Sequence, residues 1–184
     1  MSAVMECPVR TVIPDCDPGL GHIILSPSSA KLIDGVLVEN AALWPDDRGW
    51  FQEIFRFGRG LVQNYSAATT QVSVAVSFSS IIKAFHIHHF QTDVWAPMTG
   101  LFQVALVDLR PDSPTFGEKN TLYVGEQRPW RILIPPGVAH GYKIVSPGNG
   151  VLVYATDRFY DPADEGRIAH DHPSLAYDWS TQHK

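Results

Sequence analysis

The chain has 184 residues, 45% of them hydrophobic and 18% charged, with a formal net charge of −5. That length fits one domain around one continuous core, and the apolar content excludes wholesale disorder. A negative chain without a Lys/Arg cluster argues against a nucleic-acid partner, because binding there relies on displacing counterions from phosphates.

Residues 1–30 contain Pro8, Pro14, Pro18, Pro27 and a Gly-Leu-Gly, which predict an irregular N-terminal arm ahead of a single body over 31–184. The two cysteines, Cys7 and Cys16, both fall in this arm, so neither a disulfide framework nor a Cys-based zinc site is expected. A reducing cytoplasm suits such a chain. No apolar run approaches the ~20 residues of a membrane-spanning helix, and no basic-then-apolar leader opens the sequence, so no membrane partner and no secretion are expected.

From Gly35 onward, short runs rich in β-branched and aromatic residues alternate with Gly, Pro, Asp and Asn. They predict strands over 36–38, 49–55, 71–77, 81–90, 100–109, 121–124, 130–134, 143–145 and 151–156. Helical periodicity is confined to short segments around 57–64 and near Ser174. The predicted class is all-β, a sandwich or barrel with a few short helices.

The stretch Phe85-His-Ile-His-His-Phe-Gln-Thr-Asp93 concentrates histidines in a chain that has eight. Side chains alternate along a strand, so His86 and His88 share one face, while Phe85, Ile87 and His89 take the other. Gln91 and Asp93 continue the first line wherever the strand stays regular, and His140 follows a Pro/Gly turn downstream. The spacing His86-x-His88-x4-Asp93-x6-Gly100, then Pro135-x-Gly137-x2-His140, resembles the metal motif of the cupin superfamily. That resemblance implies a small jelly-roll β-barrel holding one divalent metal ion on His86, His88, Asp93 and His140. Without a metal, the same residues are hydrogen-bonded histidines lining a lumen.

Further motifs narrow the choice. Asp46-Asp-Arg-Gly-Trp-Phe-Gln-Glu53, Ile82-Lys-Ala-Phe-His86, Ser113-Pro-Thr-Phe-Gly117, Ile134-Pro-Pro-Gly-Val-Ala-His-Gly141 and Val153-Tyr-Ala-Thr-Asp-Arg-Phe-Tyr-Asp-Pro162 occur in this order. Together they resemble the dTDP-4-dehydrorhamnose 3,5-epimerase family across about residues 34–179. The resemblance implies a cupin-type double-stranded jelly roll, no cofactor, and a homodimer whose barrels lend strands to each other. It implies epimerisation of a nucleotide-linked 4-keto-6-deoxyhexose in deoxysugar or cell-surface polysaccharide synthesis, with His86 as base and Tyr154 as acid. Arg48, Glu53 and Gln71 match positions that hold the nucleotide and diphosphate. Lys83 stands where the family usually has arginine, and His140 matches a histidine of the same pocket.

Two departures accompany the match. The family lysine that steadies the enolate falls where this chain has Thr92-Asp93-Val94-Trp95, reversing the charge. The family aspartate that orients the base has no counterpart after Asp178-Trp179, so His88 or Asp93 is expected to take its place. Three readings follow: an epimerase with a rewired site around Asp93, a metal-dependent enzyme, or a sugar-nucleotide-binding module without catalysis.

Overall fold

The computed structural model describes residues 7–181; residues 1–6 of the expected arm and 182–184 of the expected body lie outside the described residues. Thirteen strands follow in order: β1 (His22–Ile23), β2 (Leu37–Asn40), β3 (Trp44–Asp46), β4 (Gly49–Phe51), β5 (Gln71–Ser77), β6 (Ile82–His88) and β7 (Asp93–Thr99), then β8 (Leu101–Asp108), β9 (Lys119–Gly125), β10 (Trp130–Ile134), β11 (Val138–Ile144), β12 (Gly150–Thr156) and β13 (Glu165–Arg167). One sheet has the order β1-β9-β8-β11-β6-β13, a second has β2-β10-β7-β12-β5, and β3 and β4 form a separate hairpin. The two large sheets face each other as a jelly roll, and the all-β expectation holds. Among the described residues the one helical element is a 3-10 turn at Gly60–Val62, so the expected short helices reduce to that turn and to non-helical turns near Ser174.

Alternation explains how the sheets are filled. On β8, Phe102, Val104 and Leu106 point between the sheets, where they meet Leu122, Ile132, Ile144 and Leu152. Their neighbours Ala105 and Val107 point to the outer face, where Phe85, Ile87, Leu175, Tyr177 and Trp179 cover them. Each fully buried large apolar side chain contributes about 1.5–3 kcal/mol. The last described residues thus form the outer wall of the six-stranded sheet, clasped by buried Lys119, whose Nζ donates to the carbonyls of Asp17, Leu175 and Ala176. The N-terminal arm docks there as well: Cys16 N–H donates to the Ser174 carbonyl, and Gly19 N–H to that of Ala176. No helix among the described residues is long and apolar enough to cross a membrane.

The sequence conceals the strand that matters most for the site, β7. Pro97 sits inside it, although a central strand rarely tolerates a residue without an N–H. The structure accommodates it where the β7–β12 register shifts, between Val151 and Leu152. Strand β11 also begins earlier than the apolar run suggests, so that His140 lies within it.

Candidate functional site

One end of the lumen is left unfilled. A cavity of about 410 Å³ opens there, lined by Gln71, Lys83, His86, His88, Gln91, Asp93, Trp95, His140, Tyr154 and Glu165, among others. The six-stranded sheet supplies His86 and His88 from β6, His140 from β11 and Glu165 from β13; the five-stranded sheet supplies Asp93 and Trp95 from β7 and Tyr154 from β12. His86 and Tyr154 therefore stand on opposite walls.

A bulge sets the β6 face. His140 pairs with His86 and Tyr142 with Lys83, so Ala84 and Phe85 together oppose the single Gly141. The extra residue resets the alternation and brings Lys83 to the cavity beside His86 and His88. Glycine is required opposite the bulge, since a Cβ at Gly141 would meet the Ala84 Cβ at 2.3 Å.

After His88 the chain turns instead of running on. Asp164 holds that turn by accepting the backbone N–H groups of His89, Phe90 and Gln91 at 2.7, 3.1 and 3.0 Å. Asp93 consequently opens β7 in the other sheet and reaches the same face from across the barrel. His89 points away and lies against the arm, with Nδ1 2.9 Å from the Val9 carbonyl.

The residues at the cavity fall into two groups. The first is His86 with Glu165: their Nδ1 and Oε1 atoms are 3.4 Å apart. Arg167 holds Glu165 Oε1 through Nε at 2.8 Å and through its terminal nitrogen at 2.7 Å. Burial pushes the Glu165 carboxyl upward, but Arg167 and His86 outweigh it, so it sits below the ordinary range. Burial lowers the His86 pKa from its usual value, against the opposing pull of Glu165. A neutral imidazole with Nδ1–H turned to this carboxylate presents a basic Nε2 to the cavity.

The second group is His88, Asp93 and His140, each more than nine-tenths buried. Gln91 Nε2 donates to Asp93 Oδ1 at 2.7 Å and lies 3.2 Å from His88 Nε2. Trp95 Nε1 donates to Asp93 Oδ2 at 3.1 Å, and His140 Nε2 lies 3.6 Å from that same oxygen. Burial raises the Asp93 pKa, and contacts with His88, Gln91 and Trp95 offset only part of that rise. The same burial, reinforced by His88, brings His140 down to about 3, which keeps it neutral.

Several expectations change here. The carboxylate beside His86 is Glu165, in the place expected for His88 or Asp93; His88 and Asp93 instead belong to the second group. His86 also stands outside that group, so the four-ligand arrangement reduces to three. The sequence does not mark Glu165, because Glu165-Gly-Arg167 is a short charged segment, although its alternation, with one small residue between two charges, is the pattern of a short edge strand. Gln71 and Lys83 line the cavity, but Arg48 and Glu53 do not. Arg48 lies on the exposed β3–β4 hairpin, paired with Asp46 at 2.5 Å. Glu53 pairs with Arg56 at the edge of a separate hollow that also holds Glu39, Arg59 and Arg131.

Comparison with known proteins matches this architecture. The family model described as dTDP-4-dehydrorhamnose 3,5-epimerase matches residues 30–184. The chain is 40% identical over 153 residues to the spore coat polysaccharide biosynthesis protein SpsL of Bacillus subtilis, covering 82% of this chain and 99% of that protein. It is 30% identical over 153 residues to the probable low-salt glycan biosynthesis epimerase Agl13 of Haloferax volcanii, covering 82% and 96%. Among solved structures, the 3,5-epimerase RmlC of Legionella pneumophila in complex with dTDP-4-keto-L-rhamnose superposes with a TM-score of 0.70 at 26% identity, over 80% of this chain and 79% of that one. With nearly the whole body matched in sequence and the barrel matched in shape, the chain belongs to the dTDP-4-dehydrorhamnose 3,5-epimerase family.

Proposed function

We propose that the protein is an epimerase of a dTDP-linked 4-keto-6-deoxyhexose that serves polysaccharide synthesis, with His86 as the base and Tyr154 as the acid. The observation that carries this reading is the placement of His86 and Tyr154 on opposite walls of one cavity, with His86 backed by Glu165.

The C4 ketone acidifies the C–H bonds at the neighbouring carbons. His86 Nε2 takes a proton from one of them, and the electron pair moves into an enolate. Tyr154 O–H then delivers a proton to the opposite face of the same carbon, inverting it without net gain or loss of atoms. Glu165, with Oε1 3.4 Å from His86 Nδ1, faces the imidazolium that forms and steadies its charge.

The active unit is a homodimer in this reading. Strand β5 is a sheet edge whose outer face exposes Val72, Val74 and Val76, continued by Phe78. Apolar surface of this kind favours a second copy. Arg48 and Glu53 lie outside their own chain's cavity, so nucleotide binding by them calls for the partner's cavity. A nucleotide-sugar substrate and two free cysteines fit a cytoplasmic setting.

The reaction is tested by incubating the protein with dTDP-4-keto-6-deoxyglucose and following the ring configuration by NMR. Inversion next to the ketone is expected; unchanged substrate under conditions where the folded protein binds dTDP would contradict the reading and leave a binding module.

A further inference from the structure

His88, Asp93 and His140 offer one ligating atom each within 4.8 Å of one another. Their ring orientations are specific. His140 directs Nδ1 at the Val138 carbonyl, 3.0 Å away, which leaves Nε2 as the lone-pair nitrogen facing Asp93. Gln91 Nε2 is an amide donor, so His88 Nε2 accepts from it and the His88 proton sits on Nδ1. That Nδ1 lies in a buried position without a hydrogen-bond partner, 4.0 Å from Asp164 Oδ2. His140 thus turns Nε2 toward the Asp93 carboxylate with Nδ1 held by an oxygen acceptor behind, the arrangement of a metal-ligating histidine. His88 brings its own ligating atom into the same cluster without a hydrogen-bonded acceptor behind its ring.

Hydrogen bonding alone serves this cluster incompletely. The Gln91 amide satisfies one Asp93 oxygen and His88, and Trp95 satisfies the other oxygen. His140 Nε2 and Asp93 Oδ2 remain two acceptors facing each other at 3.6 Å, with no donor between them except a proton on Asp93 itself.

We propose that His88, Asp93 and His140 form a binding site for one divalent transition metal ion at the buried end of the cavity. Two neutral imidazoles and one carboxylate suit Fe(II), Mn(II) or Zn(II) and leave further positions open. A half-turn of the Gln91 amide would offer its oxygen as a fourth donor. His86 is not among the residues whose ligating atoms lie within 4.8 Å of one another, so the ion and the base are separate parts. This proposal rests on the epimerase reading only for its consequence, since an ion there would supply the positive charge at the ketone oxygen that the family's lysine supplies elsewhere.

The test separates binding from catalysis. Chelator-treated wild-type protein is titrated with Zn2+ and with Mn2+, and bound metal is measured by mass spectrometry alongside the melting temperature. Expected are about one ion per chain, a rise in melting temperature with added metal, at least a tenfold loss of affinity in His88→Ala and Asp93→Asn, and retention in His86→Ala. Wild-type protein that binds neither ion at tens of micromolar, and melts unchanged with both, overturns the proposal, as does equal binding by folded His88→Ala. If the side-chain variants fail to fold, the wild-type titration alone decides. Proton exchange on the sugar nucleotide is scored separately, so a metal-binding protein without exchange would sink the epimerase reading and leave the metal site standing.

Discussion

Glu165 Oε1 lies 3.4 Å from His86 Nδ1 because β13 pairs with β6 in a register that sets Glu165 opposite His88 and Arg167 opposite His86. An edge strand of three residues thereby supplies the carboxylate behind His86. Glu165→Gln should lower kcat about 10–100-fold with little change in KM. It also removes the charge that pulls the His86 pKa up, so the acid limb of the kcat/KM profile should move to lower pH. A loss of activity without displacement of that limb would mean that Glu165 only holds the edge strand in place.

Tyr154→Phe separates the two half-reactions. His86 can still remove the proton and return it to the same face, so solvent deuterium should continue to enter next to the ketone. Inversion should fall by about 100-fold or more, the usual contribution of a positioned acid. Equal loss of exchange and inversion would contradict the assignment of Tyr154 as the acid for the second face.

The bare face of β5 is tested by Val74→Glu. Val74 is 63% exposed within one chain, so the substitution costs little inside a monomer but buries an unpaired charge between copies. Light scattering should give a dimer for the wild type and a monomer for the variant, with weaker nucleotide binding in step. A dimer of unchanged affinity would move the interface elsewhere.

Asp108 explains another sequence motif without any role in chemistry. It accepts from Arg110 Nε at 2.8 Å, Ser113 Oγ at 2.6 Å and Thr115 Oγ1 at 2.7 Å. Burial raises its pKa, but these donors outweigh burial and hold the carboxyl below its ordinary range. A group whose folded pKa is depressed stabilises the fold above its unfolded pKa of about 3.9 and loses that contribution as pH falls through the folded value. Urea unfolding should show Asp108→Asn less stable by about 3 kcal/mol at pH 7, with a smaller stability loss than wild type on acidification below about pH 4.

The sequence exposed more of the fold than of the site's wiring. Strands such as Gln71–Ser77 and Trp130–Ile134 were readable residue for residue because one face is apolar and the turns are marked by Gly, Pro and Asp. Asp93–Thr99 was not, because Pro97 breaks the local pattern and only the register shift against β12 makes room for it. His86, His88, Asp93 and His140 were identifiable as one constellation, but not its division into two groups. That division depends on the turn held by Asp164, which sends Asp93 to the opposite sheet, and on β13, whose pairing with β6 local sequence does not encode.

Solvent deuterium exchange next to the C4 ketone of dTDP-4-keto-6-deoxyglucose reads the action of His86 without requiring inversion. Wild-type protein should exchange rapidly in D2O, and folded His86→Ala should slow the exchange by about 100-fold or more. Exchange that persists at the wild-type rate in His86→Ala would contradict the assignment of His86 as the base.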